Sequence, residues 1–239
     1  MTFENIKNID LYCPSTWEDK IFLTFDIDWA SDEVLSYTLD IIEKYNIKAT
    51  FFVTHETPIL DKMRINPNIE LGIHPNFNPL LNGDFSYGRN IDEVIEYYKN
   101  IVPEAVSVRS HAMTQNSHIL DTFDKFGLMY DCNTFIPISS KIELFPWKHW
   151  SEKLLKVPYC WEDDVHCVYN WEWNVKKLLD NKGLKVFDFH PIHIFLNTEK
   201  LDRYEKSRDS FNNFSKLKNK VNFSAYGTKD FFIELIKEV

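Results

Sequence analysis

The chain has 239 residues, 44% of them hydrophobic and 15% aromatic, with a formal net charge of −9. This is the composition of a folded globular protein within reach of one domain, so residues 1–239 are expected to form a single catalytic domain. The acidic balance, with a pI near 5.4, argues against nucleic acid as a partner and for a neutral or small substrate.

Met1 to Lys7 lacks a basic segment followed by a hydrophobic one, and no stretch approaches the roughly 20 apolar residues of a membrane span. A cytoplasmic location without a transmembrane segment is therefore expected. Cys13, Cys132, Cys160 and Cys167 show no CxxC pair and read as reduced thiols.

The apolar run Ile21 to Phe25 reads as a strand buried on both faces, ending in Asp26 and Asp28. Such acids are costly to desolvate unless they are paired, hydrogen-bonded or bound to a metal. A helix follows, with Ser31 as N-cap, Asp32 and Glu33 at the positive end of its dipole, and Asn46 closing it. Ala49 to Val53 is the next strand, completing a parallel strand-helix-strand unit.

Asn68 to Ile73 reads as a short strand leading to His74, and Leu80 to Arg89 as an irregular loop. Asn90 and Glu93 form a capping box for a helix over 91–101. Ala105 to Val108 is a strand ending in Arg109-Ser110-His111. Asn116 or Ser117 caps a helix that stops at Gly127, and Leu128 to Asp131 is a further strand candidate.

Residues 135–152 read as a long loop with a hairpin. Leu155 to Pro158 is a short strand entering Tyr159-Cys160-Trp161-Glu162-Asp163-Asp164. A helix is predicted over 171–181, then a strand from Lys185 to Phe189 that delivers His190 and His193. A charged helical stretch over 198–218, a strand over 221–225 and a final helix capped by Thr228 complete the chain.

Asp26 and Asp28, His74, Arg109 and His111, Glu162 and Asp163, and His190 and His193 each follow a strand-like run. In a parallel barrel all of them converge on one rim. Polar groups after strands are common, because loops are polar, and an acid pair at a strand end often only bonds nearby backbone N–H groups. The selectivity for His, Asp and Arg is less common. His55, His118, His149 and His166 carry no such pattern and read as surface or loop residues.

These stretches resemble the polysaccharide deacetylases of the NodB-homology type, carbohydrate esterase family 4. Thr24-Phe25-Asp26-Ile27-Asp28 is similar to the family's strand ending in Thr-Phe-Asp-Asp, with the acid pair altered. Ala49-Thr50-Phe51-Phe52 is similar to its second strand. The family's paired histidines four residues apart are His74 and Asn78 here, its arginine after a strand is Arg109, and His111 stands where a proline is usual. Trp161-Glu162-Asp163-Asp164 is similar to its acids beside a tryptophan, and Phe189-His190 to its final histidine. The departures point to a divergent branch, similar to deacetylase-like proteins of surface-polysaccharide (lipopolysaccharide) biosynthesis.

The resemblance implies an α/β fold, a distorted (β/α) barrel of about seven strands. It also implies one divalent metal that holds a water, with Asp26 as base, His190 as acid and Arg109 orienting Asp26 or Asp163. A divalent metal needs about three protein ligands and an open position, and carboxylate with imidazole suits zinc, the first choice here. Asp28 and His74 are assigned first. The third ligand is Asn78 by position, with His111, His190 and His193 as alternatives; a carboxamide oxygen is a poor zinc ligand. His193 is a second candidate for the acid. His111, Trp161, Asp163 and His193 are expected to face the substrate, with Tyr159 and Phe77 as further apolar walls.

The expected activity is metal-dependent hydrolysis of an acetamido or formamido group on a nucleotide- or lipid-linked sugar. A catalytically silent sugar-binding protein and a hydrolase of a non-sugar amide are the alternatives.

Overall fold

Every residue from Ile21 to Asp26 is buried, as an apolar run without polar alternation requires, and this run is the spine of a parallel sheet. The computed structural model describes residues 1–239. In chain order the strands are β1 (Thr2–Phe3), β2 (Lys20–Asp26), β3 (Ala49–Val53), β4 (Ile69–Ile73), β5 (Ser107–Val108), β6 (Tyr130–Asp131), β7 (Trp147–Lys148), β8 (Leu155–Lys156), β9 (Trp161–Glu162) and β10 (Lys185–Phe189). The helices are α1 (Asp32–Tyr45), α2 (Ile59–Ile65), α3 (Asn78–Leu81), α4 (Ile91–Ile101), α5 (Ser117–Lys125), α6 (Asp163–Tyr169), α7 (Val175–Leu179), α8 (Pro191–Leu196), α9 (Leu201–Glu205), α10 (Phe214–Leu217) and α11 (Thr228–Glu238).

The sheet runs β7-β8-β6-β5-β4-β3-β2-β10-β9, with β1 beside β2, and every pair is parallel except β7 with β8. This is the expected α/β barrel-like fold, with ten strands instead of about seven, because two-residue strands such as β1 and β9 are too short to leave an apolar run. The sheet does not close. A connection of residues 157–160 joins β8 to β9, too short for the crossover a parallel pair needs, and the two do not pair.

Local signals behave as the chemistry demands. The Asn90 side chain accepts from the Glu93 N–H at 2.9 Å while Glu93 accepts back from the Asn90 carboxamide, so α4 opens on a reciprocal cap. Asn116 caps α5 by accepting from the Ile119 N–H, and Asn46 ends α1 in the left-handed region. Ser31 makes no capping bond, and the N-cap of α11 is Gly227, with Thr228 inside the helix and the Asp230 carboxylate accepting from the Gly227 N–H.

Three expectations change. The helix over 171–181 shrinks to Val175–Leu179, the stretch over 198–218 breaks into α9 and α10 separated by a 3-10 turn, and residues 221–225 form no strand. There Asn222 caps a turn by accepting from the Ser224 and Ala225 N–H groups, an alternative to a strand ladder.

One contiguous apolar core runs from Ile6 to Ile236. Phe25 stacks on Phe51 with centroids 4.6 Å apart and meets Phe232 edge-on, while Trp161 stacks on Phe231 of α11 at 4.7 Å. Side chains alternate in direction along β2 and β10, so Thr24, Asp26, Asp188 and His190 share the inner face while Phe25 and Phe189 point to the helices. Gly72 of β4 is required: a Cβ there would lie 2.7 Å from the Phe52 ring and the Ser107 hydroxyl. No helix is long and apolar enough to cross a membrane.

Candidate metal and catalytic site

The C-terminal ends of β2, β4, β5 and β10 deliver Asp26, His74, Arg109 and His190 to one rim of the sheet. Just beyond β2 the chain turns through two consecutive left-handed residues, Asp28 (φ 37°) and Trp29 (φ 54°), a conformation that is costly for non-glycine side chains. The turn brings the Asp28 carboxylate over the neighbouring strand ends.

Asp28 Oδ1 lies 3.3 Å from His74 Nε2 and 3.2 Å from His111 Nδ1, and the two nitrogens are 3.3 Å apart. Four ligands held at about 2.0–2.1 Å around a tetrahedral zinc stand about 3.3–3.4 Å apart, so this triangle has the edge length of one face of such a site. Asp28 Oδ1 is buried without a hydrogen-bond partner, an orphan that a cation would satisfy. Burial acts to raise the Asp28 carboxyl, but the close approach of the His111 and His74 imidazoles and the charge of His74 hold it well below the usual carboxylate range. His111 moves the opposite way: burial opposes its charge, yet Asp28 raises its pKa.

Three further groups could in principle hold an ion: Asp163 with His190 and His193, Asp26 with Asp188 and His190, and Glu162 with Asp164 and His190. In the first two the carboxylates are already engaged, Asp163 by His190 and Asp188 by Arg109. The cluster of Asp28, His74 and His111 is the set that combines an orphaned oxygen with two imidazoles.

Behind the triad lies a buried ionic layer. Arg109, 1% exposed, donates from one terminal nitrogen to Asp26 Oδ1 and Thr24 Oγ1, each at 3.0 Å, and to Asp188, while its Nε donates to the Cys132 carbonyl. Its guanidinium lies over the Phe52 and Tyr159 rings. Burial disfavours the cation, but Asp188 and Asp26 more than offset this and raise the Arg109 pKa. The expected alternative partner of Arg109, Asp163, is elsewhere: it accepts from the His190 backbone N–H at 2.8 Å and faces His190 Nδ1 at 2.7 Å. Asp163 opens α6 on the far side of β10, so it reaches His190 and not the strand that carries Arg109.

His190 Nε2 points back to Asp28 Oδ2 at 3.7 Å. Burial acts against its charged form, but Asp163 raises its pKa well above the ordinary value. His193 is lowered by burial, with Asp163 opposing; its Nδ1 meets the Thr198 hydroxyl and its ring stacks on Tyr204.

Other expected residues fall outside this centre. Asn78 opens α3, where its carboxamide oxygen accepts a long 3.4 Å bond from the Thr114 hydroxyl. Trp161, Tyr159 and Phe77 are 2%, 1% and 1% exposed, so none can serve as a wall for a sugar: Trp161 belongs to the core beside Phe189 and Phe231, and Tyr159 lies against Arg109. A cavity of about 1060 Å³ borders Trp161, Trp171 and Lys176 and includes none of the residues above that carry the ionic layer or the triad.

Two participants escaped the sequence reading. Asp188 is an acid inside a buried strand, two residues before His190, and that break in an apolar run is the signal that could have found it. Trp29 directly follows Asp28 and stands edge-on to His111, with centroids 5.1 Å apart.

The model of the WbmS-like polysaccharide deacetylases matches residues 23–208. A protein from Bordetella bronchiseptica, described as a polysaccharide deacetylase involved in O-antigen biosynthesis, is 45% identical over 99% of this chain and 98% of its own, with a TM-score of 0.94. A polysaccharide deacetylase from Mycobacterium smegmatis is 18% identical over 72% of this chain and 77% of its own (TM-score 0.48). A family 4 carbohydrate esterase from Streptomyces lividans is 15% identical over 72% and 78% (TM-score 0.45). No curated protein matches the chain. With the family model spanning most of its length and a full-length relative of the same fold, this chain belongs to the WbmS-like polysaccharide deacetylases.

Proposed function

We propose that the chain is a metal-dependent N-deacylase acting on an acetamido or formamido sugar of a surface polysaccharide or of its nucleotide- or lipid-linked precursor. The observation that carries this is the triangle of Asp28, His74 and His111 with its orphaned carboxylate oxygen. The sugar class is supported by family membership and by the O-antigen role described for the Bordetella relative.

In this reading Asp28, His74 and His111 hold one divalent cation, zinc by the nature of the donors, and His111 takes the place that Asn78 has by position alone. When bound, such an ion supplies Lewis acidity toward the acyl oxygen and the attacking water. The protein's own groups divide the proton work. Asp26 is the base, fixed by Arg109, and the water that loses its proton to Asp26 forms its bond to the acyl carbon.

His190 donates Nδ1–H to Asp163, which leaves Nε2 facing the site and keeps the ring protonated. As the C–N bond breaks, the Nε2 proton passes to the leaving nitrogen, releasing carboxylate and a sugar amine. His193, held down by burial and occupied by Thr198, is a poorer acid and serves to support the His190 side of the site.

The test is release of acetate or formate from N-acylated hexosamines and their nucleotide derivatives by zinc-loaded protein. Activity lost on chelation and restored by metal, together with inactive Asp28→Ala and His74→Ala variants that no longer retain zinc, is the expected result. Full activity after complete demetallation overturns the reading.

A further inference from the structure

We propose that Trp29 is the sugar platform of this site: its indole receives the apolar C–H face of the ring whose acylamido group reaches Asp28, His74 and His111. The inference rests on the hydrolase reading above and adds to it the residue that selects a carbohydrate among amides.

Four observations converge on this residue. Trp29 is 41% exposed, while the other aromatic walls expected from the sequence are sealed in the core, so it offers ring surface to a ligand where they cannot. It is covalently adjacent to Asp28, and its ring is in edge contact with His111, which ties the indole to two corners of the triad. It holds a left-handed φ of 54° directly after Asp28 at 37°, a pairing of bulky non-glycine residues that persists only where surrounding structure enforces it. The enforcing contact is visible: the Trp29 backbone N–H donates to Thr54 Oγ1 at 3.0 Å, and that hydroxyl meets His55 Nδ1 at 2.9 Å.

A large aromatic held in a costly backbone conformation beside this cluster still leaves 41% of its surface to solvent. It is well suited to a ligand that has one apolar face and a polar rim, as a pyranose ring does; aromatic rings combine large contact area with little side-chain entropy to lose.

The test uses zinc-loaded protein and two probes measured by calorimetry. Acetohydroxamate reads the metal centre alone, and a panel of methyl glycosides of N-acetylated hexosamines reads the sugar platform. Trp29→Ala is expected to weaken the sugar probes by about tenfold or more, the scale of truncating an aromatic hot spot. Zinc content and acetohydroxamate affinity should change less than about threefold. Trp29→Phe, which keeps a ring, should recover most of the sugar affinity.

Equal sugar affinity in wild type and Trp29→Ala, or an equal loss of both probes, overturns the proposal. Acetohydroxamate binding by a wild type that takes none of the sugar panel also overturns it, but leaves the metal-amide reading standing. Failure of the wild type to bind zinc or either probe instead removes that reading itself.

Discussion

Replacing His111 with alanine tests the centre most directly, because His111 and Asn78 compete for the third ligand position. His111 Nδ1 is 3.2 Å from Asp28 Oδ1 and 3.3 Å from His74 Nε2, and its side chain is 27% exposed, so the change removes a donor without opening a cavity in the core. A structural zinc held by four ligands is worth about 10–16 kcal/mol, so one ligand in four carries roughly 3 kcal/mol, or about a hundredfold in Kd. Asn78→Ala removes a carboxamide bonded only at 3.4 Å to Thr114 and should leave zinc affinity within about threefold. Calorimetric titration of zinc into apo protein, with a competing chelator for the tight binders and circular dichroism to check folding, separates the two. If Asn78→Ala loses zinc while folded His111→Ala keeps it, the assignment drawn from the triangle is wrong.

The acid side of the site is read from pH. His190 donates only when protonated, and Asp163 raises its pKa, so deacylation should fall as pH rises through that raised value. Asp163→Asn should move this alkaline limb of the kcat/KM profile to lower pH; an unmoved limb would mean that another group donates the proton. Arg109→Met leaves Asp26 and Asp188 buried without their cation and should cost about 3–5 kcal/mol of stability, measured by urea unfolding, whereas a loss under about 1 kcal/mol would show the layer to be dispensable. Glu70, a buried residue of β4 accepting from Thr50, Ser107 and the Lys7 N–H, has its carboxyl raised by burial. Its contribution to stability is complete below the ordinary value of 4.5 and is lost as pH rises through the raised one. Glu70→Gln should therefore flatten the fall of melting temperature as pH rises through that window, and an unchanged slope would refute it.

Much of the framework was legible along the chain because the signals are local. The unbroken run Ile21 to Phe25, the Asn90–Glu93 cap and the strand ending at Phe189 depend on residues a few positions apart, and each emerged where expected. The placement of Asp, His and Arg after strands was equally readable, since a parallel sheet sends all its strand ends to one rim. Terminal segments held by turns rather than ladders, such as residues 221–225, misled because a hydrophobic run does not reveal that Asn222 has captured the backbone.

What tertiary structure alone decided was partnership between distant segments. Periodicity assigns a side chain to a face, but Arg109 meets Asp188 across 79 positions, and that choice over Asp163 depends on which strand lies next to β2. Likewise His111, not Asn78, swings to Asp28 because of how two loops fold over the rim, and Trp161 turns inward to Phe231 while Trp29 stays at the surface. Residue type and spacing thus sufficed to place carboxylates and imidazoles at one rim of an α/β sheet. The clustering of Asp28 with His74 and His111, the ionic layer and the exposed ring follow from packing, where contacts are made between residues that the chain itself keeps far apart.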